Sequence, residues 1–303
     1  MGDVNESGVS VRLRLDLAYD GTDFSGWAKQ PGLRTVQGEL EIALDTVLRK
    51  HGPSPTLTVA GRTDVGVHAL GQVAHLDLTP RQLASLDRPH RGGPAPKTTG
   101  AQALARRLNG IAGLKSDVVV TRASRAPVGF DARFSALHRL YEYRIADTLG
   151  LRDPRRRSHT LWHPAELDLE AMDAAARSLL GLHDFAAYCR PRAGATTVRT
   201  LQDFGWTRDG DGVLVARVRA DAFCHSMVRA LVGACVAVGE ARLPAARVAG
   251  IRDEVTRGSE FIVMPARGLT LVEVGYPTDD EMGVRALQTR AKRSAFDRDD
   301  PID

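Results

Sequence analysis

The sequence is poor in cysteine and contains no pattern of ligands for a metal ion. Its three cysteines, Cys189, Cys224 and Cys235, are far apart, and no CxxC pair or His/Cys cluster with zinc spacing accompanies them. An odd number of scattered cysteines predicts buried free thiols in a reducing cytoplasm. Neither a disulfide framework nor a metal site is therefore expected, and no cofactor motif is present.

Long apolar runs are also missing. The longest, residues 230–239, is far shorter than the about 20 residues that a helix needs to cross a bilayer. Residues 1–10 are polar and acidic, which is not the composition of a signal peptide. These absences argue against a membrane protein and against export, so a cytoplasmic location is the expectation.

Lysine is scarce, and the positive charge comes almost entirely from arginine. The chain has 41 Lys+Arg against 37 Asp+Glu, a net charge of +4, yet lysine occurs only at positions 29, 50, 97, 115 and 292. Arginine binds phosphate bidentately and stacks on bases, so this bias favours a nucleic-acid partner, although a GC-rich genome also enriches arginine. Without a Walker lysine pattern or a GxGxxG motif, nucleotide binding is not expected.

The hydrophobic pattern predicts the same order of elements twice. In the first half, strands are predicted at 11–17, 56–60, 72–78 and 117–121, with helices starting after Thr35 and at 102–108. In the second half, strands are predicted at 137–145, 198–207, 213–220 and 269–275, with helices at 168–180, 225–238 and 245–257. Two consecutive βαββαβ units are the signature of a duplicated ferredoxin-like fold.

The predicted fold class is therefore α+β. Two fused ferredoxin-like halves, residues 11–125 and 126–278, would form one extended mixed or antiparallel sheet, with helices on one face and a central cleft across the other. Residues 1–10 are predicted to be a flexible N-terminus, and 89–100 a mobile, basic loop rich in Pro and Gly. Residues 279–303 lack a clear apolar face and are predicted to be a charged, mobile or peripheral tail.

The octapeptide at 61–68 (GRTDVGVH) is the most informative segment. It follows a short predicted strand and places Arg62 and Asp64 between two glycines, which allow a tight turn. Such a turn can present a nucleophile or base beside a group that holds an anion. Taken alone, however, the segment favours a polar turn with a local Arg–Asp contact.

Two further segments combine charge with apolar neighbours. In residues 130–136 (FDARFSA), Arg133 between two phenylalanines can stack on a base and bind a phosphate, although a strand entry with a solvated arginine is the better interpretation of this segment alone. In residues 222–229, His225 and Arg229 share one helix face. An arginine among apolar residues needs a partner, for which Asp64 is a candidate, whereas His225 is interpreted as a core histidine.

Two loops have possible roles in binding phosphate. Residues 152–157 include Arg155, Arg156 and Arg157, a run that is usually solvated surface but would contact phosphates in a nucleic-acid binder. Arg106 and Arg107 are weaker candidates of the same kind. Residues 19–27, with glycines at 21 and 26, have a composition that allows a phosphate-binding nest of backbone amides.

Taken together, these segments resemble the tRNA pseudouridine synthase A family. The matching motifs occur in register at 19–27 (YDGTDFSGW), 35–40 (TVQGEL), 61–68, 130–136, 222–233 (AFCHSMVRALVG) and 268–277 (GLTLVEVGYP). The resemblance covers residues 11–277. It implies the pseudouridine synthase fold, a homodimer, and isomerisation of uridine at positions 38, 39 and 40 in the anticodon arm of tRNA, with no cofactor or metal.

The resemblance also implies roles for single residues. Asp64 matches the essential aspartate, and Arg229 its ion-pair partner. Arg62 resembles the arginine that reaches the substrate backbone as the base leaves the stack. Tyr141 matches the tyrosine that contacts the target uridine, and Leu269 an apolar residue that lines the pocket.

Pseudouridine formation suits these residue types. The N1–C1′ bond breaks, the uracil turns and it rejoins the sugar through C5, after a base flip that costs a few kcal/mol. Asp64 must act as a carboxylate, which Arg62 and Arg229 should favour, whether it attacks the sugar, adds to the base or removes a sugar proton. Two alternatives are a non-catalytic RNA-binding module of ferredoxin-like fold and a phosphate-dependent enzyme for small molecules that uses the 19–27 loop.

Overall fold

The fold is described from a computed structural model, which defines residues 10–87, 99–190, 196–254, 256 and 258–296. The strands are β1 (Val11–Tyr19), β2 (Thr58–Val59), β3 (His68–Leu78), β4 (Val118–Arg125), β5 (His138–Ala146), β6 (Leu161–Trp162), β7 (Gly181–Asp184), β8 (Val198–Arg208), β9 (Leu214–Ala220) and β10 (Leu269–Gly275). The helices are α1 (Val36–Leu48), α2 (Pro80–Leu86), α3 (Gly100–Ala112), α4 (Leu169–Arg177), α5 (Met227–Gly239), α6 (Ala245–Asp253) and α7 (Met282–Phe296).

One ten-stranded sheet runs through the protein in the order β4-β1-β3-β10-β5-β9-β8-β7. The short strands β2 and β6 pair with β3 and β5. The strands β4, β1 and β3, together with β2 paired on β3, form one copy of the ferredoxin-like arrangement. The strands β10, β5, β9 and β8 form the second copy. The predicted duplicated α+β fold is confirmed. The predicted boundary between domains at residue 125 stays a prediction, because the sheet is continuous.

The alternation of side chains explains why these segments are strands. In β1, Leu13, Leu15 and Leu17 are fully buried, while the residues between them are half-buried. Thr35 caps α1 by accepting a hydrogen bond from the Gly38 amide, as its position in the sequence predicts. In each half the helices pack on each other and on the sheet, α1 on α3 and α4 on α5.

The two halves join where β3 lies beside β10. These strands are parallel, with Thr270 opposite His68 and Leu271 opposite Ala69. The backbones approach closely at Gly71, where a Cβ atom would lie 2.1 Å from the carbonyl oxygen of Val272. Only glycine fits this approach without a shift of the backbone. The joint therefore brings the start of β3, which directly follows the octapeptide, against the second half.

The C-terminal prediction needs a correction. Residues 282–296 form helix α7, which packs on the 130–136 segment, so the mobile alternative is wrong for these residues and the peripheral alternative stays a prediction. The Ser135 hydroxyl donates to the carbonyl of Met282 at 3.0 Å, and Arg290 forms an ion pair with Asp131 at 2.7 Å. Among the side chains of this helix that the structure describes (282–290), only Met282 and Ala286 are buried, and so small an apolar face is not visible in the sequence.

Three other short elements, α2, β6 and β7, were also not predicted. Helix α2 follows a capping box of Thr79 and Gln82, and β7 forms the outer edge of the sheet. The predicted flexible N-terminus and most of the predicted 89–100 loop lie outside the described residues, except that Thr99 caps α3. Among the described helices, none is both long and apolar enough to cross a membrane.

Candidate active site

The octapeptide connects β2 to β3 and is fixed by a buried polar network of the first half. The Asp64 carbonyl accepts from the Val67 amide at 3.2 Å, closing a turn in which Gly66 has φ +76°. Below this turn, the hydroxyls of Thr63 and Tyr19 are 2.8 Å apart. The Gln72 amide nitrogen donates to Tyr19 Oη at 3.2 Å and to the Gly61 carbonyl at 2.9 Å. These buried polar side chains thereby fix the backbone on both sides of Asp64.

The 19–27 loop wraps around the octapeptide. The Trp27 amide donates to the Thr63 carbonyl at 3.0 Å, and the Gly21 amide donates to His68 Nδ1 at 3.0 Å. The amides of Thr22, Phe24 and Ser25 also have acceptors within the loop or its neighbours. Because these amides already have acceptors, the structure does not favour a phosphate nest in this loop, and the nest stays a prediction.

The second half reaches Asp64 through the start of α5. Arg229 Nη2 lies 3.0 Å from Asp64 Oδ2, and this ion pair joins residues 165 positions apart. The same nitrogen donates to Ser226 Oγ at 3.0 Å, and Ser226 Oγ lies 3.4 Å from Asp64 Oδ2. The arginine side chain is 19% exposed and that of Asp64 33%. The pairing of Arg229 with Asp64 inferred from the sequence is thus present, across the joint between the halves.

His225 does not fit the interpretation as a core histidine. Its side chain is 40% exposed, and its Nε2 lies 3.6 Å from Asp64 Oδ1. The helix α5 begins only at Met227, so His225 is placed in the segment that leads into it. The helical periodicity of the sequence therefore predicted the wrong environment for His225, because this residue lies before the first turn of α5.

Tyr141 and Leu269 come from adjacent strands of the second half. Tyr141 is buried on β5 and packs edge-on against Phe223, with ring centres 5.2 Å apart. Burial raises the pKa of its phenol, and the negative charge of Asp64 adds to this rise, which keeps the hydroxyl protonated at neutral pH. Leu269 is buried at the start of β10. A carboxylate, a neutral phenol and apolar walls thus converge at the joint.

The sequence of the chain is similar to those of known tRNA pseudouridine synthases. A family model described as tRNA pseudouridine synthase matches residues 175–277. The chain is 62% identical to tRNA pseudouridine synthase A of Leifsonia xyli over 94% of this chain and 98% of that protein. It is 52% identical to tRNA pseudouridine synthase A of Streptomyces griseus over 97% and 98%, and 50% identical to that of Mycobacterium leprae over 94% and 96%.

The chain belongs to the tRNA pseudouridine synthase A family. Its family motifs at 19–27, 61–68 and 222–229 are therefore the segments that meet around Asp64 in this structure. Among the described residues, no group of three or more His, Cys, Asp and Glu side chains is placed to hold a metal ion.

In this family member, Arg62 and Arg139 have opposite surroundings. Arg62 is exposed, and within the described part of the chain its guanidinium has no hydrogen bond or ion pair. Arg139, which the sequence did not single out, donates to the carbonyls of Ala60 at 2.8 Å, Arg133 at 3.0 Å and Asp221 at 2.7 Å. The five N–H donors of a guanidinium allow one side chain to bind three such acceptors at once. Arg139 thus ties Ala60, which directly precedes the octapeptide, to two other segments of the fold.

The side chains of the other arginines that the sequence proposed as RNA contacts have different surroundings. Arg133 is exposed, with its guanidinium 5.3 Å from the centre of the Phe134 ring. Arg155 and Arg156 form ion pairs with Asp153 and Asp211 at 2.8 Å and 2.6 Å, and Arg157 donates to the Pro154 carbonyl at 3.2 Å. Two carboxylates offset part of the positive charge of this run, and its contact with RNA stays a prediction.

The prediction for the cysteines is wrong for two of them. Cys189 and Cys224 are joined as a disulfide, with Cα atoms 5.8 Å apart, and only Cys235 is free and buried. The pair is 35 residues apart in sequence, and the fold brings the end of the 186–188 turn next to the segment before α5. Spacing in the sequence could not indicate this contact. The bond links the segment carrying His225 to a neighbouring part of the second half.

Proposed function

We propose that this protein isomerises uridine to pseudouridine in tRNA, with Asp64 as the catalytic carboxylate. The observation that carries the proposal is the Asp64–Arg229 pair at 3.0 Å, which fixes a partly exposed carboxylate beside a buried tyrosine at the joint between the halves. A carboxylate held in this way is ready to act without reorganising at the moment of reaction. Membership of the tRNA pseudouridine synthase A family supports the substrate and the reaction.

The reaction is an isomerisation, so its atoms balance within the nucleoside. The N1–C1′ bond breaks, a C5–C1′ bond forms, the proton on C5 leaves and N1 gains a proton. Asp64 can assist by attacking C1′, by adding to the base or by removing a proton from the sugar. In each case the group acts as a carboxylate, and the guanidinium of Arg229 holds one of its oxygens at 3.0 Å.

The surrounding residues suit the handling of a flipped base. Arg62 is exposed and within the described residues has no protein partner, so it can bind the RNA backbone. The protonated Tyr141 phenol offers a hydroxyl and a ring face to the uracil. Leu269 is buried at the start of β10, and we assign it to the apolar side of the pocket. The resemblance of these residues to the family motifs also supports the roles that we assign to them.

The finer parts of the proposal concern the target and the assembly. We propose the anticodon arm, at tRNA positions 38, 39 and 40, as the target, and the cytoplasm as the place where the reaction occurs. We also propose a homodimer, in which one subunit binds the anticodon arm while the other holds the body of the same tRNA. Light scattering at working concentration tests the dimer, and a monomer would contradict it.

The decisive experiment uses purified protein and unmodified tRNA transcripts. Mass spectrometry of nuclease digests should show pseudouridine at the three anticodon-arm positions. The variant Asp64→Asn should lose more than about 1,000-fold in rate, because it removes the charge but keeps the shape. Its dissociation constant for tRNA should stay within about twofold of the parent, because phosphate contacts dominate affinity.

Two results would contradict the proposal. Pseudouridine formation by Asp64→Asn at the parent rate would exclude Asp64 as the catalytic group. A failure of the unaltered protein to form pseudouridine in any tRNA, together with weaker tRNA binding by Asp64→Asn, would favour an RNA-binding module that is not an enzyme.

A further inference from the structure

Many arginines of this protein are paired with a carboxylate. Arg12 pairs with Asp77 at 2.7 Å, and Arg208 pairs with the buried Asp147 at 2.6 Å. Such a pair satisfies the guanidinium and offsets its charge, so it offers little to an anionic ligand. Arginines without a protein partner are therefore the ones that remain able to bind phosphate.

Two arginines next to the octapeptide lack such a partner. Arg190 is exposed and Arg267 is half-buried, and in the part of the chain that the structure describes neither guanidinium makes a hydrogen bond, an ion pair or a ring contact. Arg62 has the same property, as described above. The family motifs assign a role to Arg62 but not to Arg190 or Arg267.

Arg267 belongs to a segment that packs on the octapeptide. The Arg267 carbonyl lies 3.2 Å from His68 Nε2. A Cβ atom on Gly66 would lie 3.3 Å from the Cβ of Ala266, so the two segments are in close contact. The backbone of Arg267 is thereby fixed against the octapeptide, two residues before Leu269.

The charge of Arg267 acts on the interior of the joint. Tyr143 on β5 donates its hydroxyl to the Pro265 carbonyl at 2.8 Å. Burial raises the pKa of this phenol, and the positive charges of Arg229 and Arg267 oppose the rise. Both guanidiniums are therefore close enough to one buried group to act on it, and one of them is the anchor of Asp64.

Arg190 is held beside the segment that leads into α5. Its amide donates to the His225 carbonyl at 3.0 Å, and the residue before it belongs to the disulfide described above. Ser226, which follows His225, has φ 63°, in the left-handed region, and its hydroxyl lies 3.4 Å from Asp64 Oδ2. The backbone of Arg190 is thus fixed close to the site, while its side chain remains in solvent.

We propose that Arg190 and Arg267 bind phosphates of the tRNA backbone next to the target uridine. Arg62 comes from the first half and these two arginines come from the second, so unpaired cations lie on both sides of the joint. A nucleotide whose base enters the pocket keeps its backbone outside, where the phosphates on either side of it meet these guanidiniums. The inference rests on the proposed function, because it takes the target uridine to be bound at Asp64.

The test measures how full-length variants bind an unmodified tRNA transcript, and its isolated anticodon arm, at several salt concentrations. Arg190→Gln and Arg267→Gln should each raise the dissociation constant for both RNAs about three- to tenfold, because each removes one charged contact with phosphate. The slope of log K against log salt should become shallower by about 0.7–0.9 in each variant, because fewer counterions are released. A loss confined to the whole tRNA would place these contacts on the tRNA body and would overturn the proposal.

Two controls separate phosphate binding from a structural effect. Arg81→Gln changes an exposed arginine of α2 that also lacks a partner among the described residues, and it should keep the parent affinity and slope. Helix α2 follows the far end of β3, whose 11 residues span about 30 Å from the octapeptide. Arg267→Lys keeps the charge and should regain most of the slope that Arg267→Gln loses. A lysine variant with the slope of the glutamine variant would contradict the role of Arg267.

The outcomes distinguish this inference from the proposed function. If the protein makes pseudouridine but both glutamine variants keep the parent affinity and slope, the inference fails and the proposed function stands. If the protein makes no pseudouridine in any tRNA, the proposed function fails. The salt dependence of tRNA binding then still decides whether Arg190 and Arg267 contact RNA.

Discussion

The two halves of the molecule hold different parts of Asp64. The first half holds its backbone, through neutral and fully buried groups such as Gln72 and Tyr19 beneath the turn. The second half holds its carboxylate, through charged and partly exposed groups such as Arg229. The contacts that hold the backbone of Asp64 can therefore be changed separately from those that hold its carboxylate. Changes in the first half should lower the free energy of unfolding, and changes in the second should lower turnover.

The largest effect that separates the halves is expected from Arg229→Met. Without the guanidinium, the carboxylate loses the group that holds it in place, so we expect the rate of pseudouridine formation to fall about 10- to 100-fold. Arg217→Met, at an exposed arginine of β9, serves as the matched control and should retain the parent rate. Equal rates for the two variants would show that the second half does not act on the carboxylate.

The first half should respond in stability. Gln72 is fully buried, and Gln72→Leu leaves Tyr19 Oη and the Gly61 carbonyl without this donor. We expect the free energy of unfolding, measured by urea denaturation, to fall by about 1–3 kcal/mol. Gln30→Leu, at an exposed loop residue, should change it by less than about 0.5 kcal/mol. If the Gln72 variant unfolds with an unchanged free energy, the hydrogen bonds of Gln72 do not stabilise the backbone around Asp64.

Two variants of Ser226 distinguish the contribution of its backbone conformation from that of its hydroxyl. Ser226→Gly relieves the left-handed conformation, whereas Ser226→Ala keeps its strain, and both remove the hydroxyl. If the hydroxyl holds the carboxylate, both variants should lose a similar factor in rate, about three- to tenfold, which is the value of one hydrogen bond. Full activity of the glycine variant with loss in the alanine variant would assign the effect to the backbone instead.

The last comparison concerns the tyrosines, which are buried or partly buried in both halves. Burial raises the pKa of Tyr19 to about 12 and raises those of the other four tyrosines further. The folded protein should therefore keep its phenol protons at pH 11, where an unfolded chain has lost them. Stability falls as pH rises above about 10, because only the unfolded state releases these protons. Absorbance at 295 nm, with and without urea, measures the difference.

Much of the fold could be predicted because its signals are local. The alternation in β1 and the cap at Thr35 depend on neighbouring residues, and both are found where the sequence places them. The family motifs likewise identified Asp64 and Arg229 as partners before any distance was known. Local pattern and motif were sufficient for the order of elements and for the centre of the site.

The errors share a different cause, since each depends on contacts between distant segments. Helix α7 is held partly by the polar pairing of Arg290 with Asp131, which no apolar periodicity reveals. The disulfide of Cys189 and Cys224, and the exposure of His225 beside Asp64, depend on how the second half closes. The joint itself, in which β10 lies between β3 and β5, is a non-local pairing that strand propensity does not specify.

The position of β10 has a consequence for how the protein matures. It is the last strand of the sheet in chain order, yet it lies in the middle, where it is bonded to both β3 and β5. During synthesis the first half can fold while Arg229 and β10 are still to be made. The joint closes only after residues 269–275 have left the ribosome, through long-range contacts that form slowly. A nascent or truncated chain therefore exposes an incomplete site, and competence for catalysis arrives as one of the last events of folding.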